Sequence, residues 1–379
     1  MWLNNPSEIC VNKTMKRRNL VKALGVSAVA GAISACKPKA QDCTNSTTAD
    51  TKTYKWKMVT AWPKNFPGLG TGANFLAEII NSMSGGRLQI TVYGGGELVP
   101  PLEVFDAVSS GTAEMGHAGS YYWKGKVPEA QFFGAVPFGM NAQEMNGWIY
   151  HGGGMELWTE LYEPHNLVPF PVGHSGVQMG GWFNKEINTK DDLKGLVMRI
   201  PGLGGDVLAR AGGSPKLLPG SELFTSLQTG NIDATEWVGP YNDLAFGLYQ
   251  AAKYYYYPGW HEPTACLEGI VNKQAYDSLP NDLQEIIRIA CMAATQNMLA
   301  DYTAKNNTAL ETLVNEHQVD LRKFPDEVLE ELKKHAHDVA EELGNQSEMG
   351  KKIYQSYKTF AEKIRKWLEV SEKAYLQAR

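Results

Sequence analysis

Basic charge is in short supply in this 379-residue chain: 36 Lys and Arg stand against 41 Asp and Glu, for a formal charge of −5 and a pI near 6.0. A nucleic-acid binder needs a basic surface to displace counterions from phosphates, so that class is excluded. Cysteine is scarce as well. The five, at 10, 36, 43, 266 and 291, form neither a CxxC pair nor a disulfide lattice. The eight histidines contain no HExxH and no zinc-spaced cluster, and His335 and His337 fall on different faces of a charged helix, so a catalytic zinc is not expected. A mean hydropathy of −0.32 excludes a polytopic membrane protein. What remains is an ordinary globular composition, 43% hydrophobic and 20% charged, with length for two to three units of roughly 150 residues.

The N-terminus reads differently. Residues 15–36 carry a basic head from Lys16 to Arg18 and then an apolar stretch from Leu20 to Ala35 that is too short and too rich in Gly and Ala for a membrane span. An export signal over 1–36 is expected, with Met15 as a candidate start. Ile33-Ser34-Ala35-Cys36 looks like a bacterial lipobox, which makes Cys36 the expected lipidation site. The Arg17-Arg18 pair fits a twin-arginine signal and fits equally an ordinary secretory leader. Removal of residues 1–35 takes away five basic residues and one acidic one, so the mature chain is more acidic still. Residues 37–53 hold too few apolar side chains to offset the entropy of ordering and are expected to form a flexible tether.

An internal repeat organises the rest. Glu103-Val-Phe105 through Gly111 to Glu114 matches Glu222-Leu-Phe224 through Gly230 to Asp233 in register. Each copy spaces apolar residues as a short helix does and places a glycine where the helix should stop. Around the first copy lie strand candidates at 54–60, 88–93 and 114–118 and a helix at 75–83. Around the second lie strands at 197–200, 216–218 and 233–238 and a helix near 206–211. Alternation of this kind predicts two α/β lobes, 54–170 mainly the first and 171–280 mainly the second. Ligands in such folds lie beyond the carboxyl ends of strands, which puts Tyr121, Arg199 and the Glu236-Trp237 pair at a cleft.

Past residue 280 glycine nearly vanishes and helices take over. Pro280-Asn281 opens one of about thirty residues, and Pro325-Asp326 opens another that Gly344 stops. Helices over 281–350 are expected to span the lobes. In 351–379, Ile353, Tyr357, Phe360, Ile364 and Trp367 form an apolar stripe that either packs on its own lobes or covers a second subunit.

Two motifs suggest catalysis and fail. Gly173-His-Ser175-Gly-Val177 approaches the nucleophile elbow of a hydrolase, but Val177 replaces its last glycine and a strand candidate follows. The glycines at 68, 70 and 72 and at 202, 204 and 205 lack dinucleotide spacing and a P-loop lysine. The tyrosines at 254–257 read as a buried strand, with Trp260 and Glu262 just beyond it, placed where either could reach the cleft. Arg199 stands apart: it ends the apolar run Leu196-Val-Met198, where a guanidinium on an anchored stem can grip a carboxylate through two parallel hydrogen bonds.

These segments carry a family resemblance. Gly195-Leu-Val-Met-Arg199-Ile-Pro-Gly, Leu223-Phe through Gly230-Asn-Ile-Asp233-Ala-Thr-Glu236-Trp237 and Phe105-Asp-Ala-Val-Ser-Ser-Gly111 resemble the extracytoplasmic solute receptors of TRAP transporters. The resemblance implies a two-lobed periplasmic binding protein fold of the α/β class with a long C-terminal helical extension, a periplasmic location, a TRAP membrane permease as partner and no enzymatic activity. Gln178, Arg199, Glu236, Trp237 and the segment around Glu262 look most like the subgroup that binds 2-oxo or 2-hydroxy monocarboxylates with a metal ion. By that analogy Arg199 clamps the carboxylate, with Gln178, Trp237, Glu262 and Tyr121 at the ligand. Gln178, Glu236 and Trp237 hold a cation, Na+ or Ca2+. Tyr122 competes with Tyr121 for the first-lobe position. The subgroup also exchanges its terminal helix in a homodimer. The alternative function is a secreted hydrolase of small carboxylic esters.

Overall fold

A computed structural model describes residues 52–379. The export signal, Cys36 and nearly all of the tether lie outside the described residues. The strands are, in chain order, β1 (Tyr54–Thr60), β2 (Leu88–Tyr93), β3 (Met115–Gly119), β4 (Leu167–His174), β5 (Gly181–Phe183), β6 (Val197–Arg199), β7 (Ser214–Lys216), β8 (Ala234–Thr235), β9 (Tyr254–Tyr257), β10 (Cys266–Asn272) and β11 (Asp320–Lys323). They form two sheets, ordered β2-β1-β3-β10-β4 and β11-β9-β5-β8-β6-β7.

The repeat is visible as geometry. In one sheet β1 lies between β2 and β3, parallel to both; in the other β6 lies between β7 and β8, parallel to both. The matching helices, Val104–Ser109 and Leu223–Gln228, each follow a 3-10 turn and each give way to a left-handed glycine, Gly111 at φ 78° and Gly230 at φ 76°. Even the ties agree. Ala113 N donates to Ala107 O at 3.1 Å, and Ile232 N to Ser226 O at 3.3 Å. The Glu114 carboxylate accepts from Lys57 N at 2.7 Å, and the Asp233 carboxylate from Val197 N at 3.0 Å. An acid just before the third strand thus fastens the first strand of each unit.

The chain passes between sheets in three places: residues 175–180, residues 258–265, and the 35-residue helix Asn281–Asn315 with the turn that follows. Strand β10 returns to the first sheet, antiparallel to β3 and β4, while β5 and β9 extend the second. The two short crossings run side by side. Gln178 N donates to Glu262 O at 3.3 Å, Gly259 N to Gln178 O at 2.9 Å and Ser175 N to Ala265 O at 3.2 Å. Both crossings enter the cleft at its centre.

The first helix begins at Leu69, six residues before the apolar period suggests. Its glycines are there for close approach: a Cβ on Gly70 would lie 2.7 Å from Pro63 O, and one on Gly72 would strike the Met298 methyl. The helix Gly202–Arg210 likewise starts inside a glycine cluster. Strand β8 is shorter than the expected 233–238, because at Glu236 the chain leaves the ladder and turns into the cleft.

The terminal stripe divides. Ile353 and Tyr357 of the helix Glu348–Val370 are buried against the chain's own body, with the Tyr357 hydroxyl accepting from Met140 N at 3.1 Å and its ring edge-on to Trp148. Trp367 is 59% exposed and Val370 71%, and Tyr375 and Leu376 of the following short helix are bare as well. Phe360 and Ile364 are partly buried against the same body, so packing on its own lobes accounts for the stripe as far as Ile364 and leaves Trp367 and the residues after it bare. Among the described residues no helix is long and apolar enough to cross a membrane.

Candidate functional site

The site begins at the carboxyl end of β6. Arg199 is 1% exposed and fixed on three sides: Nε donates to Leu218 O at 3.1 Å, Nη1 donates to Glu236 O at 3.2 Å and also to the Glu236 carboxylate, and the guanidinium lies 5.1 Å from the Trp237 ring. Burial, the largest single influence, would lower its pKa, but the charge of Glu236 together with neighbouring Tyr122 and Tyr121 holds it above the ordinary value. Its remaining nitrogen, Nη2, is buried with no protein acceptor. A buried charge-assisted donor without a partner is costly and aims at something that accepts.

Opposite it the crossing segments supply the complement. Gln178 Nε2 donates to Glu262 at 2.7 Å and to Ser175 Oγ at 3.2 Å, which leaves Gln178 Oε1 buried without a donor. Glu262 is pushed well above the carboxylate range by burial and by the charge of Glu236, with Arg199 opposing, so its protonated form is favoured. Glu236 in turn holds His261 Nε2 at 3.2 Å with its second carboxylate oxygen.

The first sheet closes the cavity. Tyr121 and Tyr122 occupy the turn after β3, their rings edge-to-face at 5.0 Å. Burial, and next the charge of Glu262, raises Tyr121; burial raises Tyr122 to about 12, with Arg199 opposing. Both line the cavity, with Arg199 foremost among the charges acting on Tyr122 and Glu262 foremost among those acting on Tyr121. The cavity they leave against the second sheet is small, about 10 Å³, room for about one water-sized molecule.

Six residues singled out from the sequence, Tyr121, Tyr122, Gln178, Arg199, Glu236 and Trp237, line this one cavity. Glu262 stands behind Gln178 and orients its amide. Trp260, weighed as a cleft residue, instead stacks on Phe138 at 6.0 Å. Trp62 and Ser175 line the cavity and were not anticipated as ligand contacts. Ser175 sits in the false elbow: its hydroxyl donates to Gly176 O at 2.8 Å and accepts from Ala265 N at 2.9 Å. The adjacent His174 contacts Thr264 and Asn146 rather than Ser175, and burial holds its pKa down to about 3. Ser175 therefore fastens two crossing segments and has no base to activate it. Among the described residues no three His, Cys, Asp or Glu side chains gather as a metal site; the side-chain oxygens at this cavity belong to the Gln178 amide, the Glu236 carboxylate and the hydroxyls of Tyr121, Tyr122 and Ser175.

The family model for bacterial extracellular solute-binding proteins, family 7, matches residues 58–347. The chain belongs to this family. It is a receptor and not an enzyme, and the ester-hydrolase alternative falls with that assignment and with the unactivated Ser175. The receptor is 42% identical to a monocarboxylate 2-oxoacid-binding periplasmic protein of Nostoc sp., over 95% of this chain and 98% of that one. A TRAP periplasmic solute binding protein from Pseudoalteromonas atlantica, solved with bound sodium and pyruvate, is 44% identical, with a TM-score of 0.84 over 86% of this chain and 100% of that one. A TRAP solute binding protein from Bordetella bronchiseptica, a mixed-occupancy dimer with calcium and picolinate in one site, is 38% identical, with a TM-score of 0.84 over 86% and 97%. The two-sheet α/β receptor fold with its long terminal helix is the one the sequence implied.

Proposed function

We propose that this receptor captures a small monocarboxylate bearing a 2-oxygen, a 2-oxo acid such as pyruvate or a 2-hydroxy acid such as lactate, and delivers it to a TRAP membrane permease. The observation that carries the reading is the pair of unsatisfied buried atoms, Arg199 Nη2 and Gln178 Oε1, facing one small cavity. One needs an acceptor and the other a donor or a cation. Nη2 offers itself to the ligand carboxylate, and Tyr121, Tyr122 and Trp237 enclose the rest.

Charge balance favours a cation. Arg199 and Glu236 form a neutral pair and Glu262 favours its protonated form, so a bound carboxylate leaves one negative charge in a closed site. The donors present fit an ion: Gln178 Oε1 has no hydrogen bond, and the Glu236 oxygens keep lone pairs beyond the Arg199 and His261 contacts. Gln178, Glu236 and the Trp237 main chain would hold Na+ or Ca2+, which prefer oxygen ligands. The ion would supply positive charge beside the ligand oxygens. Relatives with sodium and pyruvate, or calcium and picolinate, support the same chemistry, since each acid sets a second donor beside its carboxylate.

The bare end of the terminal helix and the dimeric Bordetella relative support a homodimer. The lipobox at Cys36 would tether the receptor at the periplasmic face of a membrane.

Melting the receptor against a panel of acids tests the reading, because selective binding to the folded state raises the melting temperature as ligand increases. Pyruvate or lactate should raise it and be recovered unchanged by NMR. No shift with any 2-oxo or 2-hydroxy monocarboxylate would refute the reading.

A further inference from the structure

One wall of the cavity is formed by a residue that anchoring a carboxylate does not require. Trp62 lies just beyond β1, 1% exposed, and its indole meets the cavity from the first-sheet side. Arg199, Glu236 and Gln178 hold the other side. An acid fixed there by its carboxylate and 2-oxygen must send its carbon chain toward the apolar wall that Trp62 makes with Leu69 and Leu267. Anything beyond the first carbon of that chain competes with the indole for space.

The indole is held as well as packed. Its Nε1–H donates to His117 Nδ1 at 2.8 Å, with the rings nearly perpendicular at 76°. Its main-chain carbonyl accepts from Gly95 N at 2.7 Å and from Thr60 Oγ1 at 3.0 Å. Tyr122 covers it, with ring centroids 6.4 Å apart. His117 is fully buried on β3 in the middle of the first sheet, registered with Thr60 on β1 and Gly269 on β10. It therefore moves only if the sheet moves. Burial pushes its pKa down to about 3, so the ring is neutral through the neutral range and Nδ1 stays an acceptor. An indole whose only buried donor is satisfied by a ring in a central strand cannot swing aside without leaving both partners unpaired.

We infer that Trp62, oriented by His117, sets the length of carbon chain this site accepts and confines the receptor to short acids. The inference rests on the monocarboxylate reading and adds the residue that selects within that class. His117 touches no ligand: it is a positioning residue acting through Trp62.

Calorimetric titration of the receptor and its variants with pyruvate, 2-oxobutyrate and 2-oxovalerate tests this through the ratio of affinities, which a general loss of stability leaves unmoved. The unmodified receptor should prefer pyruvate to 2-oxovalerate by about tenfold or more, and Trp62→Ala should shift that ratio toward the longer acid by at least about tenfold, as expected when a pocket gains room for methylenes. Trp62→Phe should shift it in the same direction by less, and it answers the question if the alanine variant does not fold. His117→Leu should move the ratio as Trp62→Phe does, while His117→Gln, which restores an acceptor for the indole, should return it toward the original. An unchanged ratio in the Trp62 variants, with pyruvate still bound, would overturn the inference and leave the monocarboxylate reading intact. A shift with Trp62→Ala and none with His117→Leu would overturn the positioning role. If the unmodified receptor binds neither 2-oxo nor 2-hydroxy monocarboxylates, the reading fails and this inference with it; if it binds 2-hydroxy acids alone, the same ratios are measured with lactate and its longer homologues.

Discussion

A single guanidinium nitrogen of Arg199 reaches both the carboxylate and the main-chain oxygen of Glu236, and both residues are 1% exposed. Arg199 ends β6, and Glu236 follows the neighbouring β8, where the chain leaves the ladder. The bond thus locks the turn that carries Trp237 while leaving Nη2 for a ligand. Truncation of Arg199 to alanine should cost about 3 kcal/mol of carboxylate affinity, more than a hundredfold. Arg199→Lys should fall between, because an ammonium can pair with Glu236 but cannot offer the planar fork. Calorimetry on folded variants measures both, and a loss under fivefold for the alanine variant would remove Arg199 from the ligand.

Asp243 gives a test in pH. It is buried, accepts from Trp182 Nε1 at 3.0 Å and Tyr255 Oη at 2.7 Å, and is raised by burial from 3.8 to about 7, with those bonds opposing. The folded chain therefore holds this proton more tightly than the unfolded one. The stabilisation it contributes is complete below about pH 4 and is lost as pH rises to about 7. Asp243→Asn cannot ionise and keeps an acceptor for both donors. The melting temperature of the variant minus that of the unmodified receptor should rise between pH 4 and 7 and level off above. A difference independent of pH would contradict the assignment.

The repeat predicts matched costs. Gly111 and Gly230 both adopt a left-handed conformation, and a Cβ at either meets no close neighbour: Asn272 Nδ2 lies 3.7 Å away at Gly111, and nothing lies within 4 Å at Gly230. Alanine at either position should destabilise by about 1–2 kcal/mol, the cost of the conformation alone. Chemical denaturation should return similar values for the two. A negligible cost at either would mean that its turn relaxes.

Removal of residues 367–379 takes away the exposed Trp367, Val370, Tyr375 and Leu376 and leaves Ile353 and Tyr357 seated. If the bare end covers a second subunit, light scattering of the mature chain lacking residues 1–36 should report a dimer, and the truncated chain a folded monomer. A monomer before truncation defeats the dimer.

Much of this was legible because it is periodic. The repeat, with its glycine stops and strand-fastening acids, shows in sequence since each unit needs the same turn at the same place. Arg199 and Tyr121 were found from the rule that strands end at the cleft. Applied to β1, that rule also reaches Trp62, which lies two residues past Thr60. Ser175 and the orientation of Gln178 by Glu262 were not legible, because the two crossings lie over eighty residues apart in sequence and meet only in the fold. The helix starts at Leu69 and Gly202 were hidden by glycines, which weaken helical propensity but permit close packing. The terminal stripe looks continuous from Ile353 to Trp367, yet its last turns project beyond the body it packs on.

The central claim is that one closed site takes a monocarboxylate and a cation together. Calorimetric titration of metal-free receptor with pyruvate, in sodium-free buffer and again with sodium or calcium added, measures it most directly. Micromolar or tighter binding that appears or strengthens at least about tenfold with one of these ions is the predicted result, because the ion balances the second carboxylate in a dry cavity. Equal affinity with and without both ions, in protein that elemental analysis finds free of metal, would contradict it.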